Sequence, residues 1–184
     1  MKLELVTPRL KLTSIDESKA IQVLDYVQRN KEFLKEWEIL RAPDYYTLEA
    51  QKNLIHQDIQ QMERGQLVRV WMYKLDELEK IIGSITLSNI VKGGFLSCYL
   101  GYRIDEQERN KGYMTEGIKH MIEFAFNILQ LHRIEANIMP RNTASIKVVQ
   151  KLGFHNEGAA KKYLKINGKW EDHIHMVLLN DEIE

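Results

Sequence analysis

The 184-residue chain has one cysteine, three prolines and no excess of either charge. With Cys98 alone no internal disulfide can form, which fits a reducing compartment. No His and carboxylate pattern surrounds it, so it reads as a buried, inert thiol and not as a nucleophile. Lysine plus arginine equals aspartate plus glutamate at 26 each, so no overall field draws nucleic acid or an anionic membrane. There is no long apolar run and no cleavable signal at the start, which gives the expectation of a cytoplasmic protein. Both GxGxxG and the Gly-Lys-Ser/Thr ending of a P-loop are missing, which disfavours a nucleotide-dependent enzyme. His173 and His175 alternate beside Asp172, but without further ligands packing is favoured, and no metal site is expected. No repeat or linker interrupts the chain. A hydrophobic fraction of 44% then suffices for one domain over residues 1–184, with its core over about 8–180.

What is present centres on residues 99–130. A strand runs into the turn Arg109-Asn110-Lys111-Gly112-Tyr113-Met114, and a helix follows, with Met114, Ile118, Met121, Ile122, Ala125 and Leu129 as its buried stripe. The amino end of that helix faces out of the core, with unpaired N–H groups and two cationic side chains suited to an anion. Residues 134–154 repeat the strand, turn, helix order: Pro140 ends the strand, Asn142 caps a helix and Gly153 stops it. Two such units suggest neighbouring strands whose helix amino ends meet at one crevice.

The remaining elements fall on either side. Arg9 to Thr13 alternates as a first strand; a helix buries Ala20, Val23, Leu24 and Val27, with Asp16 or Ser14 as its cap. Asn30 opens a short turn carrying Phe33, Leu34 and Trp37, and residues 38–46 read as a surface loop broken at Pro43. Thr47 starts a helix that stops at Gly65. Residues 68–73 and 81–87 then read as antiparallel strands joined by a charged turn over 76–80, and residues 159–166 and 170–179 as a hairpin around Asn167-Gly168. The fold class is α/β, a mixed sheet: antiparallel strands, a parallel pair flanking the long helix, and a closing hairpin.

The stretches TPRLKL, LGYRID, RNKGYMTEGI, RIEANIMPRNTASIKVVQKLGF, NEG and GKWEDH, in this order and spacing, cover nearly the whole chain. Together they resemble the Gcn5-related N-acetyltransferases (GNAT) and, within them, the RimJ/RimL-like branch that acetylates ribosomal-protein N-termini. The family loop has the form Gln/Arg-x-x-Gly-x-Gly/Ala; here Met114 replaces the last small residue, with the expectation that it crowds the pyrophosphate without abolishing backbone contacts. The resemblance implies that the parallel strands splay, leaving a V for the pantetheine arm of acetyl-CoA. It places backbone groups of Tyr102, Arg103 and Ile104 on the pantetheine amides and residues 109–115, ending in Thr115, on the pyrophosphate. Asn142 would anchor pantetheine and Ser145 would donate to the departing sulfur.

Acetyl transfer needs an amine stripped of its proton, and no base transfers from the family. Some relatives place Glu on the central strand where this chain has Tyr99, and others place Tyr on the last strand where it has Met176. Tyr99 or water is left as a relay. An α-amino group is roughly one part in six to eleven neutral at pH 7, against about one part in 2,500 for lysine, so a weak base favours the former. The leading expectation is therefore acetylation of a protein N-terminus, with a ribosomal protein as the partner the resemblance suggests. Acetylation of a small amine (amino acid, polyamine or antibiotic) and non-catalytic acyl-CoA binding are the alternatives. Trp37, Arg41, Tyr45 and Tyr46, with the hairpin near Tyr163 to Trp170, are candidates for the acceptor pocket and equally for core or homodimer contacts.

Overall fold

A computed structural model describes residues 2–183. Its strands are β1 (Glu4–Val6), β2 (Leu10–Thr13), β3 (Val68–Lys74), β4 (Glu77–Val91), β5 (Ser97–Ile104), β6 (Arg133–Ile138), β7 (His155–Ile166) and β8 (Lys169–Leu179). The helices are α1 (Ala20–Arg29), α2 (Lys31–Lys35), α3 (Leu48–Glu63), α4 (Tyr113–Asn127) and α5 (Thr143–Lys151). All eight strands form one sheet in the order β1-β2-β3-β4-β5-β6-β8-β7. Every neighbouring pair is antiparallel except β5 and β6.

Apolar periodicity decides which face each helix covers. Met114, Ile118, Met121 and Ala125 of α4 are buried with Leu12, Met72, Ile85 and Leu100 on one face of the sheet. Ala20, Val23, Tyr26 and Val27 of α1 pack with Trp71, Tyr73 and Ile81 on the other, together with Ile55 of α3. At Gly117, in the middle of α4, a Cβ would lie 2.8 Å from Ile85 Cδ1, so this helix sits close to β4 because that residue has no side chain. Cys98 is buried in the first cluster and its thiol is pushed up to about 12 by burial, the inert state anticipated.

The order of layers matches the mixed sheet expected, with three local differences. β1 precedes the anticipated first strand; three residues are too short for a periodic signal, yet they pair with β2 and bring Leu3 into the core. The anticipated turn over 76–80 is shorter, because β4 begins at Glu77, opposite Lys74, and a salt bridge of 2.8 Å joins those two side chains. The short turn expected after Asn30 is the helix α2, which Asn30 precedes without a side-chain cap; its buried amide instead donates to Tyr26 O (3.0 Å) and accepts from Glu106 N (2.9 Å), tying α1 to the loop after β5. The hairpin turn falls at Asn167 and Gly168, with φ of 43° and 82°, the left-handed pair that a tight β7–β8 connection needs.

Candidate active site

The feature that organises the site is a gap in the sheet. β5 and β6 pair only through Ser97↔Arg133, Cys98↔Ile134 and Tyr99↔Glu135, although β5 continues to Ile104 and β6 to Ile138. Past Tyr99 the two strands diverge, as the V requires. β5 stays paired to β4 and β6 to β8, so each strand keeps one satisfied edge and presents the other to the gap. A buried strand edge with no partner is a template for an extended, amide-bearing chain.

At the wide end lies the loop before α4. Asn110 (φ 61°) and Gly112 (φ 82°) both adopt left-handed backbone, which turns successive N–H groups to one side. Glu116 is the first residue of α4 whose N–H bonds back, to Gly112 O at 3.1 Å, so the amides of Tyr113, Met114 and Thr115 lack intrahelical acceptors. Together these groups suit a diphosphate. Met114 does not crowd them. Its side chain is buried in the core, so only its backbone faces the loop.

The cations here are tethered. Lys111 pairs with Glu108 (2.8 Å), and the Arg109 guanidinium stacks on Phe33, 5.0 Å from the ring centroid. A third cation completes the loop and was not singled out from sequence: Arg9 donates to Lys111 O (2.9 Å) and Glu116 Oε2 (2.7 Å) and lies over Tyr113. Its signal was available in the TPRLKL stretch. Burial alone would raise the Glu116 carboxyl, but the Thr7 hydroxyl and Arg9 outweigh it and hold the group below its ordinary 4.5. A depressed carboxyl adds stability above its unfolded pKa and loses it as pH falls through the folded value. Glu116→Gln should therefore lower the urea midpoint at pH 7 and flatten its decline between about pH 5 and pH 3, compared with wild type. Parallel acid curves would show that this carboxylate does not tie β2 to α4.

Across the gap, α5 begins at the end of β6. Asn142 Oδ1 accepts from Ser145 N at 3.2 Å, the cap expected from sequence. Ser145 Oγ lies 2.6 Å from the Tyr102 hydroxyl, whose single proton can go to Ser145 Oγ or to Ser145 O (3.0 Å). Tyr102 was anticipated only through its backbone; its side chain crosses to α5 on the α4 face of the sheet. Burial raises the phenol and the Ser145 bond only partly offsets this, so it stays protonated at neutral pH. In a half-buried hydroxyl pair of this kind, the serine proton is free to go to a leaving thiolate when the phenol donates to Ser145 Oγ.

Alternation sends Tyr99 and Arg103 to the opposite face, so Tyr99 and Ser145 are not brought together. Arg103 donates to Glu38 Oε1 (3.0 Å), Tyr45 OH (3.3 Å) and Ser84 Oγ (3.2 Å), within cation–π distance of Tyr26 and Trp71. Glu38, which had passed as part of a surface loop, is thereby half-buried and also accepts from Arg41 (3.4 Å). Glu38, Arg41, Tyr45 and Arg103, with Tyr46 and Asn167, line a cavity of about 270 Å³. Asn167 N donates to Glu38 O (2.9 Å), which fastens the hairpin tip to the cavity wall. Trp37 lies outside that wall, under the Arg141 guanidinium. Nearer the vertex, Tyr99 lies against Tyr163, and Glu135 binds Arg133 (2.9 Å) and His175 (2.7 Å). His173 is buried with Nδ1 on Glu171 O (3.1 Å), so both strand histidines are held by packing and protein oxygens.

Comparison with known proteins bears on this geometry directly. Residues 9–155 match the model of the acetyltransferase (GNAT) domain. "Probable N-acetyltransferase YjcK" of Bacillus subtilis is 36% identical over 175 residues, 95% of this chain and 93% of its own. The "[Ribosomal protein uS5]-alanine N-acetyltransferase" of Escherichia coli is 35% identical over 94% of this chain and 89% of its own. A crystal structure of the ribosomal-protein-S5-alanine acetyltransferase of Vibrio fischeri superposes with a TM-score of 0.93 at 34% identity, covering 99% of each chain. With a family-wide match, a splayed parallel pair and an amide-lined loop all in one chain, this protein belongs to the GNAT family, as an acetyl-CoA-dependent N-acetyltransferase of the RimJ/RimL-like branch.

Proposed function

We propose that the enzyme acetylates the α-amino group of a protein N-terminus, with an alanine-initiated ribosomal protein as the acceptor. The observation that carries this is the gap between β5 and β6, which has the Tyr102–Ser145 contact to α5 on one face and Arg103, part of the wall of the cavity around Glu38, on the other. Acetyl-CoA supplies the activated thioester; its diphosphate lies on the amides of residues 112–115 and its pantetheine along the free edge of Tyr102 to Ile104. Asn142 helps anchor that arm, and the amine approaches from the other face. Its lone pair adds to the thioester carbonyl, forming the C–N bond and a tetrahedral oxyanion. As this collapses the C–S bond breaks and the thiolate takes a proton from Ser145. The proton that the nitrogen sheds through water or Tyr99 restores the balance, leaving an amide and a thiol.

The acceptor assignment draws on the names of the relatives and on proton chemistry. Neither the Tyr99–Tyr163 pair nor the tethered Glu135 is a strong free base. At pH 7 the neutral fraction alone favours an α-amine over lysine by roughly 200- to 400-fold. Thiol release should therefore be at least about tenfold faster, per unit kcat/KM, for an alanine-initiated hexapeptide than for the same peptide blocked at its amino end and carrying a lysine. Equal rates would overturn the N-terminal assignment. One observation favours a free amino acid as a second candidate: the cavity is small and its four cations, Lys31, Lys35, Arg41 and Arg103, outnumber Glu32 and Glu38, which suits a carboxylate. Faster turnover of alanine than of the hexapeptide would decide for it.

A further inference from the structure

The last rung between β5 and β6 is Tyr99↔Glu135, so the first positions past the vertex on the cavity face are Gly101, which has no side chain, and Asn137. At Gly101 a Cβ would meet nothing within 4 Å, so the space beside β5 is open. On the other bank, Asn137 Oδ1 is buried and has no hydrogen-bond partner among the described residues. A buried carbonyl oxygen without a donor is uncommon and calls for one.

The amide is not free to turn. Its Nδ2 donates to Tyr163 OH (3.3 Å), and its N–H side also helps hold the carboxyl of Glu135, two residues back on β6, below the usual range. Beside a carboxylate an amide presents nitrogen, which leaves its oxygen as the unpartnered acceptor on the β6 bank. Glu135 is itself occupied: Oε1 is bound to His175 Nδ1 (2.7 Å) and Oε2 to Arg133 (2.9 Å). It orients the amide and is not available to take a proton from substrate.

We infer that Asn137 Oδ1 receives an N–H of the acceptor amine, fixing the nitrogen at the vertex with its lone pair aimed across the gap toward β5. This rests on the acetyl-transfer reading above and adds the residue that orients the nucleophile. A neutral primary amine carries two N–H bonds and one lone pair, so a single acceptor on the β6 bank leaves the lone pair to point elsewhere. An amide can orient such a group but cannot deprotonate it, which suits an acceptor that arrives neutral. Asn137 is then a substrate-binding residue, and Glu135 and Tyr163 are positioning residues.

The probe is coenzyme A joined through an acetyl bridge to the α-nitrogen of an alanine-initiated hexapeptide, compared with coenzyme A alone by calorimetry. Wild type should bind the conjugate more tightly. Asn137→Ala should weaken the conjugate by about tenfold or more and leave coenzyme A within about twofold. In steady-state assays the same variant should raise KM for the hexapeptide more than it lowers kcat. Tyr163→Phe, which removes only the hydroxyl that steadies the amide, should weaken the conjugate by about threefold and serves should Asn137→Ala fail to fold. Wild-type affinity for the conjugate in both variants, or a proportional loss of conjugate and coenzyme A, overturns the inference while leaving the acetyl-transfer reading in place. A wild type that gains nothing from the peptide arm overturns the acceptor reading and this inference together.

Discussion

Ser145→Ala should cut kcat by about two to three orders of magnitude while acetyl-CoA affinity stays within about threefold, the signature of a group that acts on the departing sulfur. The geometry makes this a clean substitution. The cap of α5 uses the backbone N–H of Ser145, at 3.2 Å from Asn142 Oδ1, and alanine keeps it. The hydroxyl alone is lost, and with it the 2.6 Å contact to Tyr102. A thiolate whose conjugate acid has a pKa of about 8.5 still gains from a donor as charge develops on sulfur, so the loss falls on the barrier and not on ground-state binding. Tyr102→Phe should show a smaller loss of about tenfold, because serine keeps its own proton but loses the phenol that replenishes it. The fall should also be shallower for an activated thioester whose leaving group is a better anion. Equal losses in kcat and affinity would make Ser145 a packing residue, and an unchanged kcat would leave the thiolate to water.

Gly112→Glu should weaken acetyl-CoA binding by about 100-fold or more. Two effects act together. At φ 82° any L side chain is strained by roughly 1–2 kcal/mol, and a Cβ there would sit 3.3 Å from Arg9 NH2. The larger effect is substitution of the ligand: a carboxylate at the amino end of α4 can accept the amides of Tyr113 to Thr115 itself, and repels any phosphate that tries to. Because it caps the helix as it blocks the site, the variant should lose far more affinity than thermal stability. Gly112→Ala separates the terms, since it carries strain without charge and should cost about tenfold in affinity at most. If calorimetry gave wild-type affinity for Gly112→Glu, the diphosphate would have to lie elsewhere.

The two helix amino ends that frame the site were legible because both carry local signals: Gly112 before a helical stripe, and Asn142 three residues ahead of Ser145. The β7–β8 hairpin was legible for the same reason, in Asn167-Gly168. Tyr102 and Arg103 were assigned by backbone alone, although a period of two already sends them to opposite faces; which face meets α5 is a tertiary fact. Glu38 was hidden by its own chemistry. A carboxylate in a loop reads as solvated until Arg103, 65 residues further on, arrives to pair with it. The splay has no sequence signature, since the residues past Tyr99 and Glu135 are as strand-prone as those before; beyond that rung β5 stays paired only to β4 and β6 only to β8, a tertiary arrangement. Arg9 was passed over because its partners, Lys111 and Glu116, lie a hundred residues away.

The rungs that close the V at Tyr99 and Glu135 are backbone bonds, and a cleft floored this way has a fixed depth. For a thioester threaded from the α4 loop, that depth acts as a gauge of acyl length. Trimming a side chain would widen the chamber without deepening it, so broadening the enzyme from acetyl to long-chain donors would require re-registering β6 against β5.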